Sequence, residues 1–419
     1  MKTPALWSAQ AHMPSIMGRQ IKVTSAEGAY LTTDKWGKLF DGTSSLWYAN
    51  IGHGREEMAK TAYEQMKILD AYHVFGRYTN ERAVELSELL VDIAPIKNAK
   101  VILNSGGSDA IDAALKLARR YWNQVGRKSK TVVISREHSY HGLHAYGTSV
   151  GGLDFNREGY GSDSLVSGTE RIEKHSAKAF EEAIERIGAE NIAAYIAEPI
   201  MGAGGVYPPL EGYFAEVQRL CRENEILFIA DEVITGFGRA GSMFASTRYS
   251  LEPDIITFAK GITSGYGALG GVFVAPRIWH PFFEQGASSP VYRHGTTYSG
   301  HPVTAALALK NIDILKRENL VERTGALEKV LTEEMVALES HEFVAEIRVG
   351  GFMAGIELNC GVQAELITDQ MLGQGFITRP LRGNAIQISP PFITTDQEVR
   401  DLVGALKHVL DNAKNQKIR

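Results

Sequence analysis

The fold is decided by the stretch Ile255-Ile256-Thr257-Phe258-Ala259-Lys260-Gly261, an apolar run that ends in a lysine and a glycine. Upstream, the apolar run at residues 226–230 ends in Asp231. Both runs are short and nearly uniform in hydrophobicity, which predicts strands covered on both faces of a sheet. A lone charge beside a dry core is costly unless it has a partner. Lys260 and Asp231 therefore either reach water at the strand ends or meet partners that the rest of the sequence supplies.

Four more runs have the same short apolar character, and they lie at residues 101–103, 131–134, 193–197 and 271–274. Helical patterns lie between the runs. Apolar residues at positions 111, 114, 115 and 118, for example, follow the spacing of one helix face. From about residue 46 onward, this alternation predicts an α/β fold with a mostly parallel sheet.

The last part of the chain, roughly 100 residues, changes pattern and predicts a separate α+β unit. Its closing helix is well marked, because Thr395 and Glu398 form a capping box before an apolar stripe at positions 399, 402, 403 and 406. Near the start, apolar pairs flank residues 34–37, which predicts a hairpin turn.

Composition excludes several classes of protein. The 419-residue chain is 44% hydrophobic and has a formal net charge of -5, which gives no sign of nucleic-acid or anionic-membrane binding. Its two cysteines, Cys221 and Cys360, make no disulfide framework. No stretch reaches the roughly 18 apolar residues of a membrane span, and the N-terminus lacks an apolar signal core. We therefore expect a cytoplasmic protein with no nucleic-acid or membrane partner.

A candidate phosphate cradle joins a strand to a helix at Asn104-Ser105-Gly106-Gly107-Ser108-Asp109-Ala110. The glycines let backbone N–H groups converge, Ser108 adds a hydroxyl, and the helix N-terminus favours an anion. The Gly-Lys-Ser/Thr of a Walker loop is missing. The alternative is an ordinary capping turn, with Ser108 or Asp109 as the cap.

Two further loops carry polar and aromatic side chains. The stretch Ser139-Tyr140-His141-Gly142 follows the run at 131–134, and an aromatic ring at such a strand end can stack on a flat cofactor. Residues 294–302 mix hydroxyls, glycines and histidines before a helical pattern at 305–315. Histidines at 138, 141 and 144 are spaced by three, but no acidic or cysteine partner follows at ligand spacing. We predict no metal site.

Lys260 and Asp231 together fit the needs of pyridoxal 5′-phosphate (PLP), which requires a lysine that forms a Schiff base and a carboxylate at its pyridine nitrogen. In this interpretation Asp231 keeps the nitrogen protonated. Val233 lies two positions on, on the same face of an extended chain, and packs against the ring. Glu198 ends another apolar strand and positions polar groups at the ring edge. Lys260 also moves the substrate proton as a general base.

Taken together, these motifs resemble the class III (subgroup II) PLP-dependent aminotransferases of fold type I. The resemblance rests on residues 104–110, 139–142, 198–205, 231–239, 259–261 and 294–302, which follow the family's order and lie within about residues 30 to 400. Each motif alone is weak, but their joint occurrence is highly specific. Within the family the chain is most similar to the amine:pyruvate (ω-amine) transaminases, through the stretches 46–54, 120–122, 379–381 and 389–391.

The resemblance implies an architecture and an assembly. The fold would have a large PLP-binding domain over residues 46–314 and a smaller composite α+β domain from both chain ends, 1–45 and 315–419. The protein would be a homodimer with shared active sites, in which Thr297 reaches the phosphate of the neighbouring subunit. Whether dimers pair into tetramers stays open.

The same resemblance assigns the site residues. The cofactor-binding set is Gly107, Ser108, Tyr140, His141, Glu198, Asp231, Val233, Lys260 and Thr297. Gly107 and Ser108 bind the phosphate, Tyr140 stacks on the ring, and Lys260 and Asp231 are catalytic. The family's loop commonly reads Ser-Gly-Ser-Glu-Ala, so the register of the phosphate contact here is open by one residue.

Two residues are assigned to the substrate. Arg379 matches the arginine that binds a substrate carboxylate and swings aside for a carboxylate-free amine, since an arginine fork suits a carboxylate. The alternative is that Arg379 is an ordinary surface arginine with no role in substrate binding. Trp47 would line the substrate pocket, and otherwise it is a core tryptophan.

The resemblance therefore implies a PLP-dependent aminotransferase with a ping-pong mechanism through a Lys260 Schiff base. It would move an amino group from a primary amine or amino acid to a 2-oxo acid, with pyruvate as the expected acceptor. The nearest alternative is an aminomutase, racemase or decarboxylase with the same cofactor. The second class of alternative is a nucleotide-binding protein or a non-catalytic interaction protein. The Walker lysine and the Gly-x-Gly-x-x-Gly motif are both missing, which argues against nucleotide binding.

Overall fold

The computed structural model describes residues 5–161, 164–284 and 286–413 of the chain. Within them the strands are β1 (Val23–Glu27), β2 (Tyr30–Thr33), β3 (Gly37–Asp41), β4 (Lys100–Asn104), β5 (Val132–Arg136), β6 (Thr169–Ile172), β7 (Ile192–Ala197), β8 (Leu227–Asp231), β9 (Ile255–Phe258), β10 (Gly270–Val274), β11 (Val344–Val349), β12 (Ala354–Leu358), β13 (Phe376–Ile377), β14 (Arg379–Leu381) and β15 (Ala385–Ile388).

The α-helices of the same residues are α1 (Met13–Ile16), α2 (Ser44–Trp47), α3 (Glu56–Ile68), α4 (Glu81–Ile93), α5 (Gly107–Gln124), α6 (Ala145–Val150), α7 (Ala177–Ile187), α8 (Tyr213–Glu223), α9 (Ala245–Arg248), α10 (Pro276–Phe283), α11 (Pro302–Arg317), α12 (Leu320–Glu339), α13 (Ala364–Gly373) and α14 (Asp396–Ala413). None of these helices has both the length and the apolar character needed to cross a membrane.

Seven strands form the central sheet, in the order β4-β10-β9-β8-β7-β5-β6. The neighbours from β9 to β6 pair in parallel, whereas β10 runs antiparallel to both β9 and β4. All six predicted strands are present, which confirms the α/β class. The structure adds β6, which the sequence did not reveal because Thr169-Glu170-Arg171-Ile172 is a short, half-polar edge strand.

Helices cover both faces of the central sheet. Leu227 and Ile229 of β8 pack with α5 on one face, while Phe228 packs with α7 and α8 on the other. Strand β7 is buried along its whole length. Alternate strand residues thus point into two separate apolar layers, which explains why the runs are almost uniformly hydrophobic.

The two chain ends share a second sheet of order β1-β2-β3-β13, in which β3 pairs in parallel with β13. The predicted hairpin joins β2 to β3. A third, antiparallel sheet has the order β11-β12-β15-β14. The predicted capping box opens α14, since the N–H of Thr395 donates to the Glu398 carboxylate (2.7 Å) and the N–H of Glu398 donates to the Thr395 hydroxyl (3.2 Å). The domain limits themselves, 46–314 against 1–45 and 315–419, stay a prediction.

Candidate active site

The carboxyl ends of β4, β7, β8 and β9 lie at one edge of the central sheet, because these strands run in the same direction. This is the edge at which open α/β sheets bind ligands. A cavity of about 180 Å³ lies there. It is lined by eight of the predicted cofactor residues, which are Gly107, Ser108, Tyr140, His141, Glu198, Asp231, Val233 and Lys260. Motifs that are far apart in sequence therefore meet in one site.

Asp231 ends β8 and is buried with several hydrogen-bond partners. Its carboxylate accepts hydrogen bonds from the Thr257 hydroxyl (2.9 Å) and the Val233 backbone N–H (3.1 Å). It also lies 2.7 Å from Nδ1 of His141. These contacts fix the orientation of both carboxylate oxygens and offset the cost of burying the charge.

His141 is buried beside Asp231, and its two ring nitrogens differ in their surroundings. Nδ1 faces the Asp231 carboxylate, so it carries the ring proton. Nε2 is buried and has no hydrogen-bond partner among the described residues. The other two histidines of the triplet lie apart from it, since His138 packs edge-on against Tyr207 and His144 approaches Asp109 (3.6 Å).

Lys260 opens a short 3₁₀ turn immediately after β9, with a positive φ of 45°. The turn is anchored by Asn311, whose side-chain amide donates to the carbonyl oxygens of Gly261 and Ile262 (2.9 Å each). Gly261 is required there, because a Cβ would lie 2.5 Å from Nδ2 of Asn50. This backbone holds Lys260 in the wall of the cavity.

Burial, with a smaller contribution from Arg379, lowers the pKa of Lys260 to about 8. The nearby carboxylates of Asp231 and Glu198 act in the opposite direction. A lysine with this pKa is partly neutral near pH 7, and only the neutral amine is nucleophilic or basic. The Lys260 amine is therefore able to act as a nucleophile or as a base near neutral pH.

Glu198 follows β7 and is buried with its carboxylate bound to two backbone N–H groups. Oε1 accepts from Tyr140 and Oε2 accepts from Gly202, each at 2.9 Å. Burial raises the pKa of Glu198, and His141 and these two hydrogen bonds act against that rise. The contact to the Tyr140 backbone also fixes the loop that carries the Tyr140 ring.

The candidate cradle is built from the N-terminus of α5. The helix begins at Gly107, and its N-cap is Gly106, which has no side chain to cap it. The capping alternative for Ser108 and Asp109 is therefore wrong, because both lie inside the first helical turn. Gly107 and Ser108 line the cavity, and no side chain caps the helix, so its first N–H groups are available to an anion.

Two glycines make the cradle narrow. A Cβ on Gly107 would lie 2.9 Å from a methyl group of Val233, and one on Gly142 would lie 2.4 Å from the Ser108 hydroxyl. The backbone N–H of Leu143 donates to that hydroxyl (3.3 Å). One small space is therefore surrounded by five groups: a helix N-terminus, a hydroxyl, an imidazole nitrogen with no hydrogen-bond partner among the described residues, a hydrogen-bonded carboxylate and a lysine. These residues fit a phosphorylated pyridine aldehyde.

A larger cavity of about 1060 Å³ adjoins the first one and shares Tyr140, Ile234 and Lys260 with it. Both predicted substrate residues, Trp47 and Arg379, line it. Burial lowers the pKa of Arg379. Its guanidinium makes no ion pair with a described residue. Trp47 is buried against core side chains, so it both packs and borders the cavity.

The segment before Trp47 is strained, since Ser44, Ser45 and Trp47 all have positive φ angles. Buried Arg239 stabilises it by donating to the Ser44 hydroxyl (2.9 Å) and to Oδ1 of Asn50 (3.1 Å). The same guanidinium also donates to the carbonyl oxygens of residues 352 and 390, so it links this segment to the C-terminal part of the chain.

Thr297 is the predicted cofactor residue that does not join the others. It is exposed and lines neither cavity of the site. Its neighbour Thr296 is held within the chain, with its hydroxyl 3.0 Å from the hydroxyls of Ser105 and Ser299. The contact of Thr297 with a second subunit stays a prediction.

No role was predicted for Thr257, and Arg239 was predicted only as part of the motif at residues 231–239. Thr257 is the hydroxyl residue of the apolar run at 255–259, and it stands opposite Asp231 in the β8–β9 register. A polar residue within a buried strand was the available signal. Arg239 gave no such signal, because its partners come from segments far apart in sequence.

Comparison with known proteins gives consistent results. The family model of class III aminotransferases matches residues 14–410. A putrescine–pyruvate aminotransferase of Pseudomonas aeruginosa is 37% identical, over 93% of this chain and 90% of that protein. A diaminobutyrate–2-oxoglutarate transaminase of Halomonas elongata is 35% identical, over 93% and 90% of the two chains.

Solved structures agree with the sequence relatives. A transaminase from the marine bacterium Virgibacillus superposes with a TM-score of 0.93 and 35% identity, covering 98% of both chains. The ω-transaminase of Pseudomonas jessenii in complex with PMP superposes with a TM-score of 0.93 and 30% identity, covering 98% of this chain and 96% of that one. The resemblance stated from the motifs is thereby confirmed, and the chain belongs to the class III aminotransferases, PLP-dependent enzymes of fold type I.

Proposed function

We propose that this aminotransferase moves an amino group from a primary amine or amino acid to pyruvate, in two half-reactions at one site. The observation that carries the proposal is the position of Lys260. It lines both the small cavity, with Asp231, and the large cavity, with Arg379 and Trp47. One amine can therefore face a cofactor on one side and a substrate on the other.

The bound cofactor supplies an aldehyde that captures amines and a ring that takes up electrons from the substrate carbon. The chain supplies the rest. Asp231, fixed by Thr257 and His141, would hold the proton on the pyridine nitrogen. Ser108 and the N-terminus of α5 would hold the phosphate. Lys260 Nζ would take the proton from the substrate carbon and return it.

Arg379 supports a carboxylate-bearing substrate such as pyruvate or alanine. Its guanidinium is partly buried, borders the large cavity and has no acidic partner among the described residues. A bidentate pair with a carboxylate would satisfy it. The apolar walls at Trp47 and Ile234 suit the side chain of an amine that carries no carboxylate at that position.

The choice of pyruvate rests on the motifs shared with amine:pyruvate transaminases and on the relative named for pyruvate. Another relative is named for 2-oxoglutarate. Initial rates with the two acceptors at equal concentration would decide between them.

We also propose a homodimer with shared sites. Thr297 is exposed and lines neither of the two cavities formed by the described residues. Exposed aromatic side chains, Tyr72, Phe75, Tyr78 and Tyr298, give the surrounding surface an apolar character. A second copy would cover them and receive Thr297. The two free thiols, at Cys221 and Cys360, are consistent with the reducing cytoplasm.

The visible absorption spectrum of the purified holoenzyme tests the reaction. A yellow band that bleaches on addition of alanine or 1-phenylethylamine, and returns with pyruvate, is the expected result. A yellow band that no amine changes would contradict amino transfer and favour an aminomutase, racemase or decarboxylase reaction.

A further inference from the structure

Residues 292–299, called here the 292–299 loop, are fastened to helix α5 by hydrogen bonds. The Tyr292 hydroxyl donates to the carbonyl oxygen of Ala113 (2.7 Å). Nζ of Lys116 lies 3.0 Å from Nδ1 of His294. Ala113 and Lys116 are about one helical turn apart, so two successive anchors fix the start of the loop on the helix.

The far end of the loop is a closed turn that presents Thr297. The N–H of Ser299 donates to the carbonyl oxygen of Thr296 (3.0 Å), and the N–H of Thr296 donates to the Ser299 hydroxyl (3.0 Å). Thr297 and Tyr298 are the central residues of this turn, and both are exposed. The Thr296 hydroxyl also lies 3.0 Å from that of Ser105, which directly precedes the phosphate cradle. The turn is therefore tied to the end of α5 that holds the chain's own cradle.

The contact between Lys116 and His294 has a defined direction. An ammonium group only donates, so Nδ1 of His294 accepts and the ring proton is on Nε2. Nε2 has no hydrogen-bond partner among the described residues, so Lys116 makes the one hydrogen bond of this ring. Burial, and secondly the charge of Lys116, lowers the pKa of His294, so the ring stays neutral and keeps its acceptor.

The ring of His294 is fixed from a second side by Tyr292. The two rings are stacked, with centroids 5.6 Å apart and 28° between their planes. Ordering an exposed turn costs conformational entropy, and the anchors along α5 offset that cost. Thr297 nevertheless lines neither cavity of its own chain. An ordered and exposed hydroxyl of this kind suits a contact with another chain.

We propose that Lys116, acting through His294, is a positioning residue for the cofactor of the neighbouring subunit. It holds the 292–299 loop so that the Thr297 hydroxyl is presented to the partner's phosphate. The inference rests on the homodimer with shared sites proposed above. Gly107 and Ser108 begin the same helix, so α5 would serve its own phosphate at its N-terminus and the partner's phosphate through Lys116. A change at Lys116 should then weaken the partner's site and spare the site of its own chain.

The test measures PLP binding at one defined site of a mixed dimer. Chains with two different affinity tags are co-expressed, and dimers that carry both tags are purified and freed of PLP. One chain carries Lys260→Ala, so only the other chain, the reporter, can bond PLP covalently. After titration with PLP, borohydride reduction fixes PLP on Lys260 of the reporter, and mass spectrometry of that peptide gives the occupancy.

The placement of Lys116→Met decides the outcome. On the Lys260→Ala chain it should raise the PLP concentration for half occupancy at least about threefold, since part of the phosphate contact is lost. On the reporter it should have no effect, whereas general damage to α5 would weaken the reporter's own cradle. Thr297→Ala on the Lys260→Ala chain should raise the same concentration about 10- to 100-fold, as expected for a hydrogen bond to a charged group.

Two further variants are controls. Lys407→Met also removes a helical lysine, one that pairs with Asp411 in α14 (2.8 Å), and it should leave the occupancy unchanged in either placement. Lys116→Arg keeps N–H donors within reach of His294 and should keep most of the affinity.

The outcomes separate the role of Lys116 from the proposed shared site. Equal losses in both placements of Lys116→Met, or none in either, would overturn the role of Lys116 while Thr297→Ala still acts across the dimer. No loss from Thr297→Ala on the Lys260→Ala chain would contradict the shared site itself. If Lys116→Met does not fold, His294→Phe replaces it, because it keeps the ring stack with Tyr292 and removes Nδ1. The same comparison of placements then decides.

Discussion

At the scale of single residues, the perturbed amine of Lys260 leads to a prediction about pH. Since burial lowers its pKa to about 8, the neutral fraction rises with pH up to about 8 and then levels off. Covalent capture of PLP by the apoprotein needs that neutral form. Its rate should therefore rise about tenfold per pH unit below 8 and flatten above it. Stopped-flow absorbance at varied pH measures this rate.

Two variants serve as controls for the capture experiment. Lys260→Ala should capture no PLP, whereas Lys310→Ala, whose amine pairs with Asp313 on the surface, should behave like the wild type. A capture rate that keeps rising up to pH 10 would contradict the lowered pKa.

Asp231 gives a graded prediction, because its partners can be removed one at a time. Asp231→Asn removes the charge, and turnover should fall on the order of 100-fold or more. Thr257→Val removes only one hydrogen bond to the carboxylate, so a loss of about 10-fold or less is expected. The measurement is kcat with alanine and pyruvate. Equal losses in the two variants would indicate that the fold, and not the charge, was affected.

Arg239 has a structural role that can be measured as stability. It is fully buried without an ion pair to any described residue, burial lowers its pKa to about 9, and four hydrogen bonds hold it. Arg239→Met leaves those acceptors without donors and should lower the free energy of unfolding of the apoprotein by about 3–5 kcal/mol. Urea titration measures the loss. Arg400→Met, a surface change, should stay within about 0.5 kcal/mol of the wild type.

At the scale of elements, the sequence predicted what depends on local pattern. The strands that end before Asp231 and Lys260 could be predicted because each is a uniformly apolar run. Their parallel pairing brings Asp231 and Lys260 to one edge of the central sheet. The capping box of α14 was readable for the same local reason. The strained turn at 44–47 was not readable, because it is stabilised by Arg239 and by C-terminal carbonyl groups.

The N-terminus of α5 makes a prediction about cofactor affinity. Gly107→Ala would place a methyl group 2.9 Å from Val233 in the cavity wall, so PLP affinity should fall at least about tenfold, by loss of fit. Gly325→Ala, in α12 with nothing near its Cβ, should have no effect. Equilibrium dialysis measures both. Gly106→Ala tests the register, since a loss there and none at Gly107 would shift the phosphate contact by one residue.

At the scale of the whole molecule, shared sites can be tested by mixing two inactive variants. Lys260→Ala lacks the reacting amine, and Thr297→Asp would repel the partner's phosphate. In a mixed dimer one site carries both changes and the other carries none. Random mixing should therefore restore about a quarter of wild-type activity per active site, since half the dimers are mixed and each has one intact site.

The same mixture distinguishes the alternatives. No recovery, although both variants exchange subunits as shown by mass spectrometry, would mean that Thr297 serves its own chain or none. Replacement of another hydroxyl, Thr332→Ala on the surface of α12, should leave activity and assembly unchanged.

The link between the chain ends has a consequence for synthesis on the ribosome. The Ser44 hydroxyl donates to the carbonyl oxygen of Ser389, 345 positions later. Translation proceeds at roughly 5–20 residues per second, so Ser389 is added about 20–70 seconds after the turn that carries Trp47. The central sheet can assemble in that interval, and the pocket wall closes last. Nascent chains of this enzyme should therefore expose an unfinished large cavity until translation is almost complete.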